Sequence, residues 1–246
     1  RSFKKMRKIT SLMFALIFGL SFLTNAQDIQ NNQPKGYQFT DIKRLPATSV
    51  KDQARAGTCW SWSGISFFES EMIRMGKEPI DLSAMYIVRH AYSDKATKFV
   101  RLHGNMNFAV GGAFCDVMHV IKNYGIVPMD VYKGLNYGEA NHAFGEIDDV
   151  LAGYVNAVIK NSNKKLSTAW KKGFDGILDA YLGEEPEKFE YKGKEYTPRT
   201  FADEVVGLNM DDYVSLTSFT HHPFYSQFAI EVPDNWLWRS EEHTSE

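Results

Sequence analysis

The chain has 246 residues, of which 43% are hydrophobic and 14% aromatic, so it can bury one sizeable core and does not read as a disordered polar chain. Its formal net charge of −2 at pH 7 argues against a nucleic acid or an anionic membrane surface as a partner. The sequence has no phosphate-binding loop and no His/Cys cluster with metal-ligand spacing, so we predict no metal and no cofactor.

Both ends of the chain differ from its middle. Residues 1–5 precede a Met and read as upstream translated sequence, whereas residues 6–26 have the basic start, apolar run and small-residue cleavage pattern of a secretory signal peptide. The apolar run is shorter than the roughly 20 residues that a membrane-spanning helix needs. We therefore expect cleavage after Ala26, export to the periplasm or the extracellular space, and no membrane attachment afterwards. Residues 239–246 read as a non-native tail.

The middle of the chain begins with a polar arm and two helices. Residues 27–50 lack a strong period and read as extended. Over residues 59–75, apolar side chains recur at three- and four-residue steps and Gly76 follows, which predicts a helix with one buried face that begins at a cysteine. A second helix is indicated over residues 114–124, and Pro128 cannot continue it.

A pair of longer helical stripes follows. Apolar residues recur at helical spacing over 147–158 and again over 166–181, and a polar link over 161–165 separates them. This pattern predicts an αα-hairpin, which we place as an insertion spanning residues 143–182. Such stripes are more often core packing than membrane or partner faces.

The remainder reads as shorter elements. Residues 183–194 are charged and read as loop, a short helix is capped near Thr197 or Thr200, and alternating segments near 213–216 and 228–232 suit strands.

The two cysteines, Cys59 and Cys115, could form one disulfide in an exported protein. Pairing them would consume the thiol at position 59, which lies in the motif described next. We therefore expect no structural disulfide, and we expect Cys115 to be a small buried residue.

The stretch that carries chemistry runs from Gln53 through Gly57 to Cys59 and Trp60. A thiol attacks as the thiolate, and the N-terminus of a helix favours negative charge. Acyl transfer also needs donors aimed at the developing oxyanion, and a side-chain amide six residues before the cysteine can supply one while the Cys59 backbone N–H supplies another. Glycine at 57 lets the chain approach closely before the helix. We therefore predict Cys59 as the nucleophile and Gln53 as its oxyanion partner.

The Gln-x5-Cys-Trp spacing resembles the papain superfamily. Three later segments keep the same order, namely 81–83 (Asp-Leu-Ser), Gly111-Gly112 and 124–128 (Tyr-Gly-Ile-Val-Pro). In papain-like enzymes the Gly-Gly segment lines the cleft, so the resemblance implies that Gly111 and Gly112 bind the backbone of a peptide substrate. Here Val110 precedes the pair, where the group described in the next paragraph usually has a polar residue, so the resemblance does not define the substrate preference of this chain.

Within the superfamily, the helical hairpin and residues 191–201 resemble the bleomycin hydrolase/aminopeptidase C group. The short stretch between Ala26 and Gln53, too short for a folded inhibitory pro-domain, agrees with that group. The resemblance implies an α+β papain-like fold with a helical half-domain, a central helix starting at the nucleophilic cysteine, and a helical insertion. It also implies that residues 27–238 are the N-terminal part of the peptidase domain, with the β-rich second half-domain largely missing.

The general base of the reaction is not identified among the residues of this motif. Papain-like enzymes take it from a His with an orienting Asn in the second half-domain, which we expect beyond Trp238. His221 and His222 are an alternative by offset alone, but Pro223 follows directly and the region resembles the segment ahead of that half-domain. We therefore expect the chain by itself to be inactive.

These features predict an exported cysteine peptidase, specifically an aminopeptidase, that hydrolyses peptide bonds through a thioester intermediate. One alternative is a papain-fold acyltransferase that passes the acyl group to an amine. A second is a non-enzymatic module that binds peptides in the same cleft. All three readings are compatible with an oligomer.

Overall fold

The computed structural model describes residues 37, 39–217, 220, 222–231 and 240–245. The predicted signal peptide, the residues before it and His221 lie outside this part of the chain. The chain divides into two compact units, residues 1–44 and residues 45–246. In the first unit, the rings of Tyr37 and Phe39 lie 6.4 Å apart. Everything below concerns the second unit. No helix within the described ranges has the length and apolar character needed to cross a bilayer.

Five helices form the body of the second unit. They are α1 (Cys59–Arg74), α2 (Ala84–Arg101), α3 (Phe114–Tyr124), α4 (Gly145–Ile159) and α5 (Ala169–Leu182). The predicted helices at 59–75 and 114–124 and the helical hairpin within 143–182 are all present. The hairpin is formed by α4 and α5, which pack on each other and on α2.

Helix α2 lies at the centre and was not predicted. Of its 18 residues, 13 are buried. A helix surrounded by other helices shows no polar face, so the amphipathic period that marks a surface helix is absent. The helix begins after Ser83, whose Oγ accepts a hydrogen bond from the Tyr86 N–H (3.0 Å) and donates one to the Tyr132 carbonyl (2.6 Å).

The contact between α1 and α3 depends on a glycine. A Cβ added to Gly64 would lie 2.8 Å from Cγ2 of Val117, so the two helices approach closely here. Phe68 and Met72 follow on the same face of α1 and are fully buried. Each such side chain contributes about 1.5–3 kcal/mol by leaving water.

A buried carboxylate ties α1 to the loops on either side of it. Glu69 is 1% exposed and accepts hydrogen bonds from the Leu82 N–H (2.8 Å) and from Nζ of Lys51 (2.5 Å). Lys51 also lies 2.9 Å from Asp81. The chain that leads into Gln53 is thereby attached to the start of α2.

The stretch predicted as loop over 183–194 contains most of a β-hairpin. Strand β1 (Phe189–Tyr191) pairs antiparallel with β2 (Lys194–Tyr196). Lys192 and Gly193 join them with positive φ values of 51° and 78°, as a two-residue hairpin turn requires. The loop prediction was wrong here because both strands are short and charged.

A short helix follows the hairpin, as predicted. Helix α6 (Pro198–Phe201) is capped by Thr197, whose Oγ1 accepts from the Thr200 N–H (3.1 Å). A π-helical turn (Ala202–Val206) and a 3-10 turn (Met210–Asp212) come next.

The last described elements form a three-stranded sheet. Its order is β3 (Ser215–Thr217), β5 (Ser240–Ser245) and β4 (Gln227–Glu231), with β3 parallel and β4 antiparallel to β5. Strands were predicted near 213–216 and 228–232, within two residues of β3 and β4. No strand was predicted over 240–245, which lies in the segment interpreted as a non-native tail. Among the described residues, the fold is therefore helix-rich with few strands.

Candidate active site

Cys59 is exposed at the first residue of α1. Thr58 precedes it and is fully buried, and its carbonyl accepts from the N–H groups of Ser61 (2.9 Å) and Trp62 (3.3 Å). The Thr58 hydroxyl accepts from Nε1 of Trp62 (3.1 Å). The buried residue before the thiol therefore fixes the first turn, and the thiol lies at the positive end of the helix dipole.

Cys115, the second residue of α3, is in a different environment. It is half-buried, so the expectation of a buried residue was wrong. The buried residues Val117, Val120 and Ile121 lie further along α3, on the side of the helix away from Cys115. The two cysteines are not joined by a disulfide.

Gln53 lies on the tight loop that leads into α1. Its carbonyl accepts from the Ala56 N–H (3.2 Å), and Asp52 Oδ1 accepts from the Ala54 N–H (2.7 Å). Ala54 has a positive φ of 51°. The Gln53 side-chain oxygen is buried and accepts no hydrogen bond from the described residues. The carboxamide oxygen is therefore held by packing, without a donor from the part of the chain that the structure describes.

The loop is attached to the start of the helical insertion by two backbone hydrogen bonds. The Arg55 N–H donates to the His142 carbonyl (2.9 Å), and the Phe144 N–H donates to the Arg55 carbonyl (3.1 Å). This contact was not predicted, because nothing in the residue types of 142–144 marks a backbone partner. It places the insertion directly behind the predicted oxyanion loop.

His142 itself packs beside α1. Its ring lies 6.1 Å from that of Trp62, centroid to centroid, and burial lowers the pKa of His142. Its Nδ1 is buried and makes no hydrogen bond to the described residues. Trp62, His142, Ala54 and other residues line a cavity of about 370 Å³ beside the Gln53 loop.

The Gly111-Gly112 segment lies against the first turn of α1. A Cβ added to Gly112 would be 2.6 Å from Cε2 of Trp60, the residue after the thiol. Nε1 of Trp60 donates to the Val110 carbonyl (3.0 Å). Gly57 has a φ of 67°, and a Cβ there would lie 3.2 Å from Cγ1 of Val110. Glycines on both sides of this contact therefore allow the segment to approach the helix start.

Three predicted features thus meet at one place: the exposed thiol, the loop that carries Gln53, and the Gly-Gly segment. The sequence singled out Trp60 as part of the motif without a role for its indole N–H, which donates to the Val110 carbonyl. It did not indicate the buried Lys95 of α2, whose Nζ donates to the Gly111 carbonyl.

Three other histidines of the described residues contact carboxylates or an aromatic ring. Nε2 of His90 lies 3.0 Å from Glu185, and Nε2 of His119 lies 3.2 Å from Asp94. The ring of His222 stacks on Phe228 at 3.7 Å. In the described ranges, no group of three or more His, Cys, Asp or Glu side chains is arranged to hold a metal ion.

Comparison with known proteins finds relatives that are named aminopeptidase C. An aminopeptidase C of Lactococcus lactis subsp. lactis (strain IL1403) is 23% identical over 234 residues, which cover 79% of this chain and 51% of that protein. An aminopeptidase C of Streptococcus thermophilus is 23% identical over 229 residues, covering 78% and 52%. The chain is thus similar in sequence to aminopeptidase C over about four fifths of its length. No family model matches it.

A solved structure has a similar fold over most of the chain. The crystal structure of PepW from Lactobacillus rhamnosis HN001 has a TM-score of 0.61 and 21% identity, covering 82% of this chain and 54% of PepW. The resemblance to the bleomycin hydrolase/aminopeptidase C group is thereby confirmed. The chain spans about half the length of the curated aminopeptidase C relatives that it matches.

Proposed function

We propose that the full-length protein containing this chain is an exported cysteine aminopeptidase. The observation that carries the proposal is the exposed thiol of Cys59 at the first residue of α1, six residues after Gln53 and next to the Trp60 that supports Gly112. The names of the aminopeptidase C relatives support the same chemistry.

In the proposed reaction, the Cys59 thiolate attacks the carbonyl carbon of the scissile peptide bond. The Gln53 amide and the Cys59 backbone N–H stabilise the oxyanion of the tetrahedral intermediate. The C–N bond then breaks, the leaving amine takes a proton from an imidazolium, and a thioester remains on Cys59. Water, deprotonated by the same imidazole, attacks the thioester and releases the acid product and the thiol.

We propose that this imidazole comes from a His outside the described residues, in a second half-domain that also supplies an orienting Asn. The sequence supports this assignment, since Pro223 directly follows the histidines at 221 and 222 and the region resembles the segment ahead of the second half-domain. Residues 27–238 expressed alone should then be inactive. Turnover by that fragment, abolished by His221→Ala or His222→Ala, would place the base within the chain.

The activity is tested on the full-length protein with aminoacyl fluorogenic substrates. Cys59→Ala should abolish turnover, and Gln53→Ala should lower kcat about 10²- to 10³-fold, as loss of an oxyanion donor does elsewhere. Cys115→Ala is the matched control and should retain activity. Turnover that survives Cys59→Ala would contradict the proposal.

Two further arms of this assay define the reaction. Blocking the substrate's amino group should prevent cleavage, because an aminopeptidase acts at a free N-terminus. Adding a primary amine should leave the acid as the main product, whereas transfer of the acyl group to the amine would indicate an acyltransferase.

The proposed export rests on the basic start at Arg7-Lys8, the short apolar run and the Thr24-Asn25-Ala26 cleavage pattern. Mass spectrometry of secreted or periplasmic protein should find Gln27 as the first residue. Mature protein that retains residues 6–26 would contradict it.

A further inference from the structure

Lys95 is a buried cation directly beneath the Gly-Gly segment. Its side chain, on α2, is 1% exposed. Nζ donates to the carbonyl of Gly111 and lies 3.4 Å from the carbonyl of Ala109, also as a donor. Lysine is almost never fully buried unless its ammonium is bound by other groups, so a buried lysine that binds two carbonyls of one loop indicates a specific role.

The same ammonium also contacts the residue next to the thiol. Nζ of Lys95 lies 5.5 Å from the ring centroid of Trp60 and 5.8 Å from that of Tyr92, within range of cation–π attraction. Trp60 in turn donates its indole N–H to the carbonyl of Val110. Three successive carbonyls, those of residues 109, 110 and 111, are therefore bound from the protein side by Lys95 and Trp60.

The backbone of the next residue, Gly112, differs from these three carbonyls in its hydrogen bonding. Among the described residues, no hydrogen bond engages the backbone N–H or C=O of Gly112. The Trp60 ring lies where its Cβ would be and packs under it. Since the preceding carbonyls are all turned to the protein, the backbone of Gly112 is the part of this segment that remains for a ligand.

We infer that Lys95 is a positioning residue for substrate binding: its ammonium holds the carbonyls of Ala109 and Gly111 so that the Gly112 backbone pairs with the peptide at a set distance from Cys59. The inference rests on the proposed peptidase function and adds to it a residue that contacts neither the substrate nor the thiol. It predicts that loss of the ammonium weakens the binding of peptides and leaves the reactivity of the thiol intact.

The experiment compares two kinds of thiol reagent on the full-length protein. Iodoacetamide reports the reactivity of the thiol alone, whereas an aminoacyl or dipeptidyl chloromethyl ketone must first bind in the cleft. Of these two chloromethyl ketones, the one that reacts faster with the wild type is used. Lys95→Met keeps the length and apolar stem of the side chain and removes the donors. We expect its KI for the chloromethyl ketone to rise about tenfold, since hydrogen bonds to a charged group are lost, with kinact and the iodoacetamide rate unchanged.

Lys98→Met is the matched control, because it removes a lysine from the same helix one turn away. It should leave the KI for the chloromethyl ketone unchanged. An unchanged KI in Lys95→Met overturns the inference. An equal slowing of both reagents in Lys95→Met also overturns it, because the effect would then be a general loss of structure.

A second measurement uses only the wild-type protein, so it does not depend on whether a variant folds. The chloromethyl ketone is N-methylated at one backbone nitrogen at a time, and one member of the set should bind the wild type about tenfold more weakly because its pairing with Gly112 is blocked. If every member binds as well as the parent reagent, the inference is overturned. If the wild type shows no preference for the chloromethyl ketone over iodoacetamide, the proposed peptidase function fails, and the inference fails with it.

Discussion

At the scale of single residues, exposure distinguishes the two thiols. Cys59 is exposed at a helix start and Cys115 is half-buried within α3. We expect iodoacetamide at mildly acidic pH to label Cys59 faster than Cys115, because only Cys59 combines solvent access with the positive end of a helix. Peptide mapping by mass spectrometry measures both sites at once, and unfolded protein should label them at similar rates. Equal labelling in the folded protein would count against the nucleophile assignment.

The contact between Gly112 and Trp60 makes a second prediction. In Gly112→Ala the new Cβ would start 2.6 Å from the indole, so either the ring or the segment must move. Because both adjoin the thiol, we expect kcat/KM of the full-length protein to fall about tenfold or more. Gly176→Ala is the control, since a Cβ there meets nothing within 4 Å. Equal activity in the two variants would show that the contact has no influence on the site.

How much of the site could be predicted depends on the kind of interaction. Cys59 and Gln53 could be assigned because their roles depend on residue type and spacing along one loop. Lys95 could not, because its partners are backbone carbonyls, which every residue carries and which leave no mark in the sequence. The same applies to the contact of Arg55 with residues 142–144.

At the scale of elements, two glycines in helices should respond in opposite directions. In Gly64→Ala the Cβ would lie 2.8 Å from Val117, and the free energy of unfolding should fall by about 1–3 kcal/mol as α1 and α3 are forced apart. Gly153→Ala in α4 meets nothing within 4 Å and should raise the stability by about 0.5–1 kcal/mol, because Ala favours the helix. Urea unfolding of both variants checks the pair, and a stabilising Gly64→Ala would contradict the close packing.

The long helices that were predicted are those with one face exposed to solvent. Helix α1 and the hairpin of α4 and α5 show an apolar stripe because solvent touches their other face. Helix α2 does not, since it buries Arg89, His90 and Lys95 along with its apolar residues. The β1–β2 hairpin escaped prediction for another reason, because its strands are both short and charged and so do not show the apolar alternation of a strand.

At the scale of the whole molecule, a buried arginine attaches the helical insertion to the centre. Arg89 of α2 is 7% exposed, and its guanidinium lies 2.5 Å from Asp179 of α5 and 3.3 Å from Glu185. These partners raise the pKa of Arg89 against the opposing effect of burial.

Removing this guanidinium leaves Asp179 without its ion-pair partner, whereas Glu185 keeps His90 at 3.0 Å. We expect Arg89→Met to lower the free energy of unfolding by about 1–3 kcal/mol, because Arg89 is buried while the Asp179 side chain is 34% exposed and therefore partly screened by solvent. Arg74→Met is the control and should change stability little, because Arg74 pairs with Glu71 on the surface. Chemical unfolding of the two variants measures the difference. Similar stabilities would mean that the pair with Asp179 and Glu185 contributes no more than a surface ion pair.

The two backbone hydrogen bonds between Arg55 and residues 142 and 144 also impose an order of events on a nascent chain. A ribosome releases Cys59 and the whole of α1 before it synthesises Phe144, so the loop that carries Gln53 lacks these two hydrogen bonds at that stage. The thiol is therefore in place before the backbone that supports its proposed oxyanion donor. Until the insertion folds against the loop, these two hydrogen bonds are absent, so the position of the proposed oxyanion donor is fixed only once residues 142–144 are in place.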